Sequence, residues 1–223
     1  ELTGNDVRAL AWSGRHLWVA AMGAGLTRVQ DPAGDPAFRQ YATNIAGLDV
    51  VAVTGRLIGN SERVFYGTAG DGLGLITDGL SSAVYTAEQD GLISNTVNDV
   101  HFLGDDLFIA TPAGVSRFAD NIFTDENTGL SELAVRDLDL DADGNLVAGG
   151  MGGVFRWDEG TGTWSRVSGM TGNVMRITTF EGSLFALDVT GDVYQEVGGV
   201  WTERPHGEYG CSAVFGGTGL WIG

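Results

Sequence analysis

The side chains with chemistry to offer recur at one place in a repeating pattern. Short β-branched runs begin at Val7, Val50, Val97, Val135, Val174 and Cys211, and polar residues follow their first position: Arg8, Asn98, Asp99, Arg136, Asp137 and Arg176. Arginine beside aspartate can hold a sugar or a peptide group through charge-assisted hydrogen bonds. The competing expectation, and the preferred one, is that these charges pair with one another between neighbouring repeats. The three histidines, His16, His101 and His206, are far apart, and neither a His-x-x-x-His nor a paired-cysteine spacing occurs. No zinc site is therefore expected. His16 falls in a turn and is expected to be solvated. His206, in the loop Glu203–Gly207, could reach a ligand. His101 or His206 with a nearby carboxylate could also supply the acid–base pair of a lyase.

Other candidates dissolve on inspection. Asp141-Ala142-Asp143-Gly144-Asn145 resembles the start of a calcium loop, but that loop needs Gly at position six and Glu at twelve. Leu146 and Gly152 stand there. A hairpin turn is expected instead, with Asp and Asn capping amides and Gly144 at positive φ. The cluster Gly149–Gly153 lies between strands rather than at a strand-to-helix junction, so it is no dinucleotide loop. Cys211 is the sole cysteine, cannot form an internal disulfide, and reads as a small buried apolar residue. No cofactor and no metal are expected.

Composition narrows the field further. Lysine is absent, so a Walker-A loop, a Schiff-base lysine and a Ser-x-x-Lys nucleophile are excluded. The formal net charge of −17 opposes nucleic acid and anionic membrane surfaces as partners. Apolar runs are strand-sized, and no membrane insertion is expected. Glycine supplies 36 of 223 residues, about one in six, while 43 % of the chain is hydrophobic, which argues against disorder.

The elements that must position these residues follow from an internal repeat. Second runs begin at Leu17, Val64, Leu107, Leu146, Leu184 and Leu220, spaced by 47, 43, 39, 38 and 36 residues. A Gly-apolar-x-Arg segment follows in several units: Gly25-Leu26-Thr27-Arg28, Gly114-Val115-Ser116-Arg117 and Gly153-Val154-Phe155-Arg156. An aromatic strand then closes each unit. Four short strands per unit of about 40 residues is the period of a propeller blade. The expected fold is all-β: a β-propeller of four-stranded antiparallel blades, five complete (approximately 1–48, 49–92, 93–130, 131–172 and 173–210) and half of a sixth (211–223). The half-blade predicts a portion of a longer propeller continuing beyond Gly223. Trp18, Trp164, Trp201 and Trp221 fall in strands and are expected in the core, and Trp12 is expected to be exposed.

The pattern resembles the two-component-regulator propeller repeat of bacteria. Gly91-Leu92-Ile93-Ser94-Asn95-Thr96-Val97-Asn98-Asp99-Val100 matches its opening, Asp141-Ala142-Asp143-Gly144-Asn145-Leu146 its middle turn, and Gly67-Thr68 and Gly25-Leu26-Thr27-Arg28 its later parts. The second unit's turn lacks Asp-x-x-Gly and the fifth lacks Gly-apolar-x-Arg. The resemblance implies a periplasmic sensor region that reads glycans, or a secreted or surface-associated protein.

In a propeller, loops that lead into the first strand and turns between second and third strands share one face. The residues expected there are Arg8, Met22, Asp71, Asn98, Asp99, Arg136, Asp137, Met151, Arg176, Asp188 and His206. The functional expectation is a non-catalytic binding or assembly module of a bacterial extracellular or periplasmic protein, mediating protein–protein interaction within a larger assembly. A glycan or other small-ligand sensor is the second expectation, and a propeller lyase or hydrolase the third.

Overall fold

The computed structural model describes residue 2, residues 4–204, and the backbone of 213–216 and 219–222. The first sheet contains β1 (Val7–Trp12), β2 (Leu17–Ala21), β3 (Gly25–Gln30) and β4 (Ala37–Tyr41). The second contains β5 (Val50–Ile58), β6 (Ser61–Thr68), β7 (Leu73–Thr77) and β8 (Leu80–Tyr85), followed by the single-turn helix α1 (Ala87–Asp90). The third contains β9 (Asp99–Leu103), β10 (Asp106–Thr111), β11 (Gly114–Ala119) and β12 (Ile122–Asp125). The fourth contains β13 (Val135–Leu140), β14 (Leu146–Gly150), β15 (Gly153–Asp158) and β16 (Thr163–Arg166). The fifth contains β17 (Val174–Phe180), β18 (Ser183–Asp188), β19 (Val193–Val197) and β20 (Val200–Arg204). A two-stranded sheet, β21 (Ala213–Gly216) and β22 (Gly219–Ile222), follows. In every sheet consecutive strands are neighbours, so the expected five four-stranded units and a half are present.

Local chemistry explains the hairpins. Asp78 and Gly79 have φ of 50° and 77°, and Asp120 and Asn121 have 50° and 62°. Two successive positive φ values make the type I′ turn whose twist suits a two-residue hairpin. The first strands share a second device. Pairing slips by one residue between Val7 and Ala9, Val50 and Ala52, Val135 and Asp137, and Val174 and Arg176. Each slip is a β-bulge, which bends the strand and re-aims the extra residue. Arg8 and Arg136 are two of those extra residues.

The chain divides into two compact units, 1–102 with 118–124, and 103–117 with 125–223. In the first, Trp18, Ala20, Leu26 and Tyr41 pack with Val50, Val53, Val64, Tyr66 and Ile76. In the second, Phe108, Leu138, Leu146, Trp157 and Trp164 form one cluster, and Val147, Val154, Met170, Val174, Ile177 and Leu184 another. Middle strands such as β14 are buried throughout, because both faces of the sheet are covered. Burial of each large aliphatic side chain contributes about 1.5–3 kcal/mol. Close sheet approach needs small residues: a Cβ on Gly149 would lie 2.8 Å from a Val174 methyl and 2.9 Å from an Ile177 methyl. Trp18 and Trp164 are core residues and Trp12 is exposed, as expected. The Cys211 and Trp221 side chains lie outside the described residues.

Candidate functional site

Two sets of loops meet at one end of the sheets. In the first unit Met22 N donates to Asp6 O (2.9 Å) and Ala69 N to Asp49 O (3.0 Å). In the second, Met151 N donates to Ala134 O (3.1 Å) and Val189 N to Asn173 O (3.0 Å). The turn between second and third strands is thus tied to the segment that leads into the first strand.

In the second unit this end carries Arg136, Asp137, Met151, Arg176 and Asp188. The Asp137 Oδ2 accepts from Ile177 N at 2.6 Å, and its Oδ1 lies 3.6 Å from Arg176 Nη1. Two residues further along β13, Asp139 Oδ2 accepts from Thr179 N at 3.0 Å. These carboxylates stitch β13 to β17 mainly through backbone amides, and Asp137 with Arg176 forms a charge pair between these two repeats. The Asp188 carboxylate is also committed: its Oδ1 accepts from Thr190 N (2.9 Å), Thr190 Oγ1 (2.6 Å) and Asp192 N (2.9 Å). What remains presented is apolar and charged, with Glu132 exposed beside Leu133. Met151 is 50 % exposed, Leu133 46 % and Val189 47 %, and the Arg136 and Arg176 side chains are partly exposed.

In the first unit Arg8 bonds Asp6 at 2.8 Å, with both side chains about half exposed. Met22 is partly exposed beside Asp6, and Asp71 is exposed with its amide held by Thr68 Oγ1 (2.8 Å). Asn98 and Asp99 are partly buried at the start of β9. His206 lies outside the described residues, and His101 is partly buried on β9.

The opposite end holds residues the sequence did not single out, and one correction. His16 is not solvated but 9 % exposed, and its Nδ1 lies 3.0 Å from both oxygens of Glu62, itself 1 % exposed. The Glu62 Oε1 also accepts from Trp18 Nε1 (3.0 Å) and from the Ser13 hydroxyl. The turn sequence suggested water because nothing near it in the chain could satisfy the imidazole; its partner is 46 residues away. Burial acts to raise the Glu62 pKa, but hydrogen bonds from Ser13, Trp18 and His16 outweigh it and hold the carboxyl below its ordinary value. Although Ser, His and Glu are together, the hydroxyl bonds the carboxylate rather than the imidazole. The arrangement therefore lacks the nucleophile–base contact of a hydrolytic triad.

The arginine of the Gly-apolar-x-Arg segment also finds its role here. Arg156 Nε donates to Asp141 Oδ2 at 2.6 Å, and Arg117 Nε to Asp106 Oδ2 at 2.8 Å. Each locks the first hairpin of its sheet to the third strand. Asp141 Oδ1 accepts from Asp143 N (3.0 Å) and Asn145 N (2.9 Å), and Gly144 has φ of 83°, so the segment is the expected capped turn. Among the described residues no group of three or more His, Cys, Asp or Glu side chains is arranged to hold a metal ion.

No family model matches the sequence, and no curated protein sequence does. Solved structures do match. The extracellular domain of a hybrid two-component system from B. thetaiotaomicron superposes with a TM-score of 0.69 at 20 % identity, over 81 % of this chain and 26 % of that one. Virginiamycin B lyase from Staphylococcus aureus gives 0.73 at 14 % identity, over 97 % and 76 %. The fold is a β-propeller. PorZ, a surface component of the type-IX secretion system of Porphyromonas gingivalis, gives 0.64 at 18 % identity, over 91 % and 28 %. The chain spans about a quarter of the length of the two-component and secretion-system propellers it matches. No helix among the described residues is long and apolar enough to cross a membrane.

Proposed function

We propose that this propeller segment is a non-catalytic binding module of a bacterial extracellular or periplasmic protein, and that it acts through protein–protein contact. The observation that carries this is the loop end of the second unit. There Leu133, Met151 and Val189 stand exposed beside Arg136 and Arg176, while Asp137 and Asp188 are consumed by the scaffold. Methionine and arginine are enriched in protein interfaces, and the exposed Glu132 beside Leu133 adds a carboxylate to the same end. Among the described residues the large exposed aromatic side chains, Trp12 and Phe38, belong to the first sheet. Likeness to extracellular and surface-component propellers supports the compartment.

Affinity capture from the native host envelope fraction, followed by cross-linking, tests this. Met151→Asp with Arg136→Ala is expected to cut partner capture at least tenfold without changing the melting temperature by more than a few degrees. Undiminished capture would remove this end as the interface. A periplasmic glycan sensor, as the resemblance of the repeat implies, is the second reading, and the likeness to extracellular domains of two-component systems supports its sensor part. It requires glycan-array binding that Arg136→Ala and Arg176→Ala both abolish, and a silent array would sink it.

A further inference from the structure

The first sheet breaks the arginine rule of the third and fourth. Arg28 ends the segment Gly25-Leu26-Thr27-Arg28 and pairs across the strands with Trp18, as Arg156 pairs with Val147. In the fourth sheet the residue just after the first strand is Asp141, and in the third the residue just before Leu107 is Asp106; each holds its arginine. The matching positions in the first sheet are Ser13 and His16. Neither is an acid, and both give their hydrogen bonds to Glu62.

Arg28 is therefore left over. Its Nε is buried and has no hydrogen-bond partner. Directly opposite on β4 stands a second cation, Arg39, exposed and 5.1 Å above the Tyr41 ring. Like charges in register on paired strands are destabilising. The adjacent β7–β8 turn offers no relief. Arg28 reaches it, since a Cβ on Gly79 would sit 2.7 Å from Arg28 Nη1. Asp78 there faces a different cation, Arg15 at 3.8 Å, and accepts from Glu62 N (2.8 Å) and Ser61 Oγ (2.9 Å), while Tyr41 donates its hydroxyl proton to Gly79 O (3.1 Å). Among the described residues no acidic side chain forms an ion pair with Arg28 or Arg39. In a chain of net charge −17, two arginines in register across a strand pair, neither in an ion pair with a described acid, stand out. Screening over about 8 Å at physiological salt lets a short-range site hold an anion against that net charge.

We propose that Arg28 and Arg39 form a carboxylate-binding subsite in the first unit, separate from the loop end described above. Planar guanidinium groups favour a planar, two-oxygen acceptor. A ligand carboxylate held between Arg28 and Arg39 would take the place of the acid that Asp106 and Asp141 supply elsewhere. The carboxylate could belong to a uronic sugar or to an acidic side chain, and the two are separable.

Isothermal titration with glucuronate and with N-acetylglutamate, at matched ionic strength, tests this against glucose and N-acetylglutamine as neutral controls. Saturable binding of at least one acid is expected, and the tighter one names the source. Arg28→Gln and Arg39→Gln are each expected to weaken it at least tenfold, while Arg166→Gln, in the other unit, leaves it unchanged. Arg39 is exposed, so its variant keeps the fold even if Arg28→Gln does not. Absence of saturable binding to either acid, equal binding by Arg39→Gln, or the same heat from sodium chloride would overturn the proposal.

Discussion

Replacing Glu62 by alanine is expected to cost about 3–5 kcal/mol of unfolding free energy, the usual penalty for stripping one partner from a buried charged network. The carboxylate is the shared acceptor for three donors drawn from the first sheet, Ser13 Oγ, His16 Nδ1 and Trp18 Nε1, while Glu62 itself sits on β6 of the second. Its loss leaves the Trp18 indole N–H without its acceptor and leaves a cavity beside Trp18, which is fully buried, while the Ser13 hydroxyl keeps only the His16 carbonyl (3.1 Å). Urea denaturation followed by tryptophan fluorescence measures the effect. A midpoint shift equivalent to less than about 1 kcal/mol, the net worth of one ordinary hydrogen bond, would show that the network contributes little. The same group carries a pH dependence. Its folded pKa lies below the ordinary 4.5, so its stabilisation is fully present above that value and is lost as pH falls through the folded pKa. The stability gap between the wild type and Glu62→Gln is therefore expected to be constant near neutrality and to narrow below about pH 4.5.

The second large effect is expected from Gly129→Ala. Gly129 has φ of 97°, and an added Cβ would stand 1.9 Å from the carbonyl oxygen of Trp164. That oxygen is backbone and is held in place, because Trp164 N donates to Thr128 O (2.8 Å) and its indole to Glu126 O (2.7 Å). Left-handed strain of about 1–2 kcal/mol adds to an overpacking cost of about 1–3 kcal/mol, for a total near 3 kcal/mol. Gly144 provides the contrast. It also has positive φ, 83°, but nothing lies within 4 Å of its Cβ direction. Gly144→Ala should therefore carry the strain alone, about 1 kcal/mol. Equal melting temperatures for the two variants would refute the packing argument.

The first unit's arginine and the clamp beside it show where reading along the chain stops. Gly25-Leu26-Thr27-Arg28, Gly114-Val115-Ser116-Arg117 and Gly153-Val154-Phe155-Arg156 are visibly one motif, and the repeat places all three arginines on third strands. Their separate fates depend on one residue elsewhere in each sheet: Asp106, Asp141, or the pair Ser13 and His16. A signal for this existed, since the position before Leu17, Leu107 and Leu146 varies from His to Asp to Asn, but only a known hairpin register gives that variation meaning. Glu62 offered no such signal. It reads as one more acid on a hairpin of an acidic chain, and its burial follows from the first sheet packing against the second.

The sequence alone determined the architecture of this propeller, because strand length, glycine corners and β-branched runs are local properties repeated every 40 residues or so, and each copy reinforces the same reading. It determined the exposure of Trp12, the burial of Trp18 and Trp164, and the capped turn at Asp141–Asn145, for the same local reasons. Only the tertiary structure decided which charges are spent and which are free. Asp137 is used up on a backbone amide 40 residues away, His16 is buried by a carboxylate 46 residues away, and Arg28 lacks the acid its counterparts have. Pairing across sheets has no period in the sequence, since it is set by which side chains two separately formed surfaces bring within hydrogen-bonding reach.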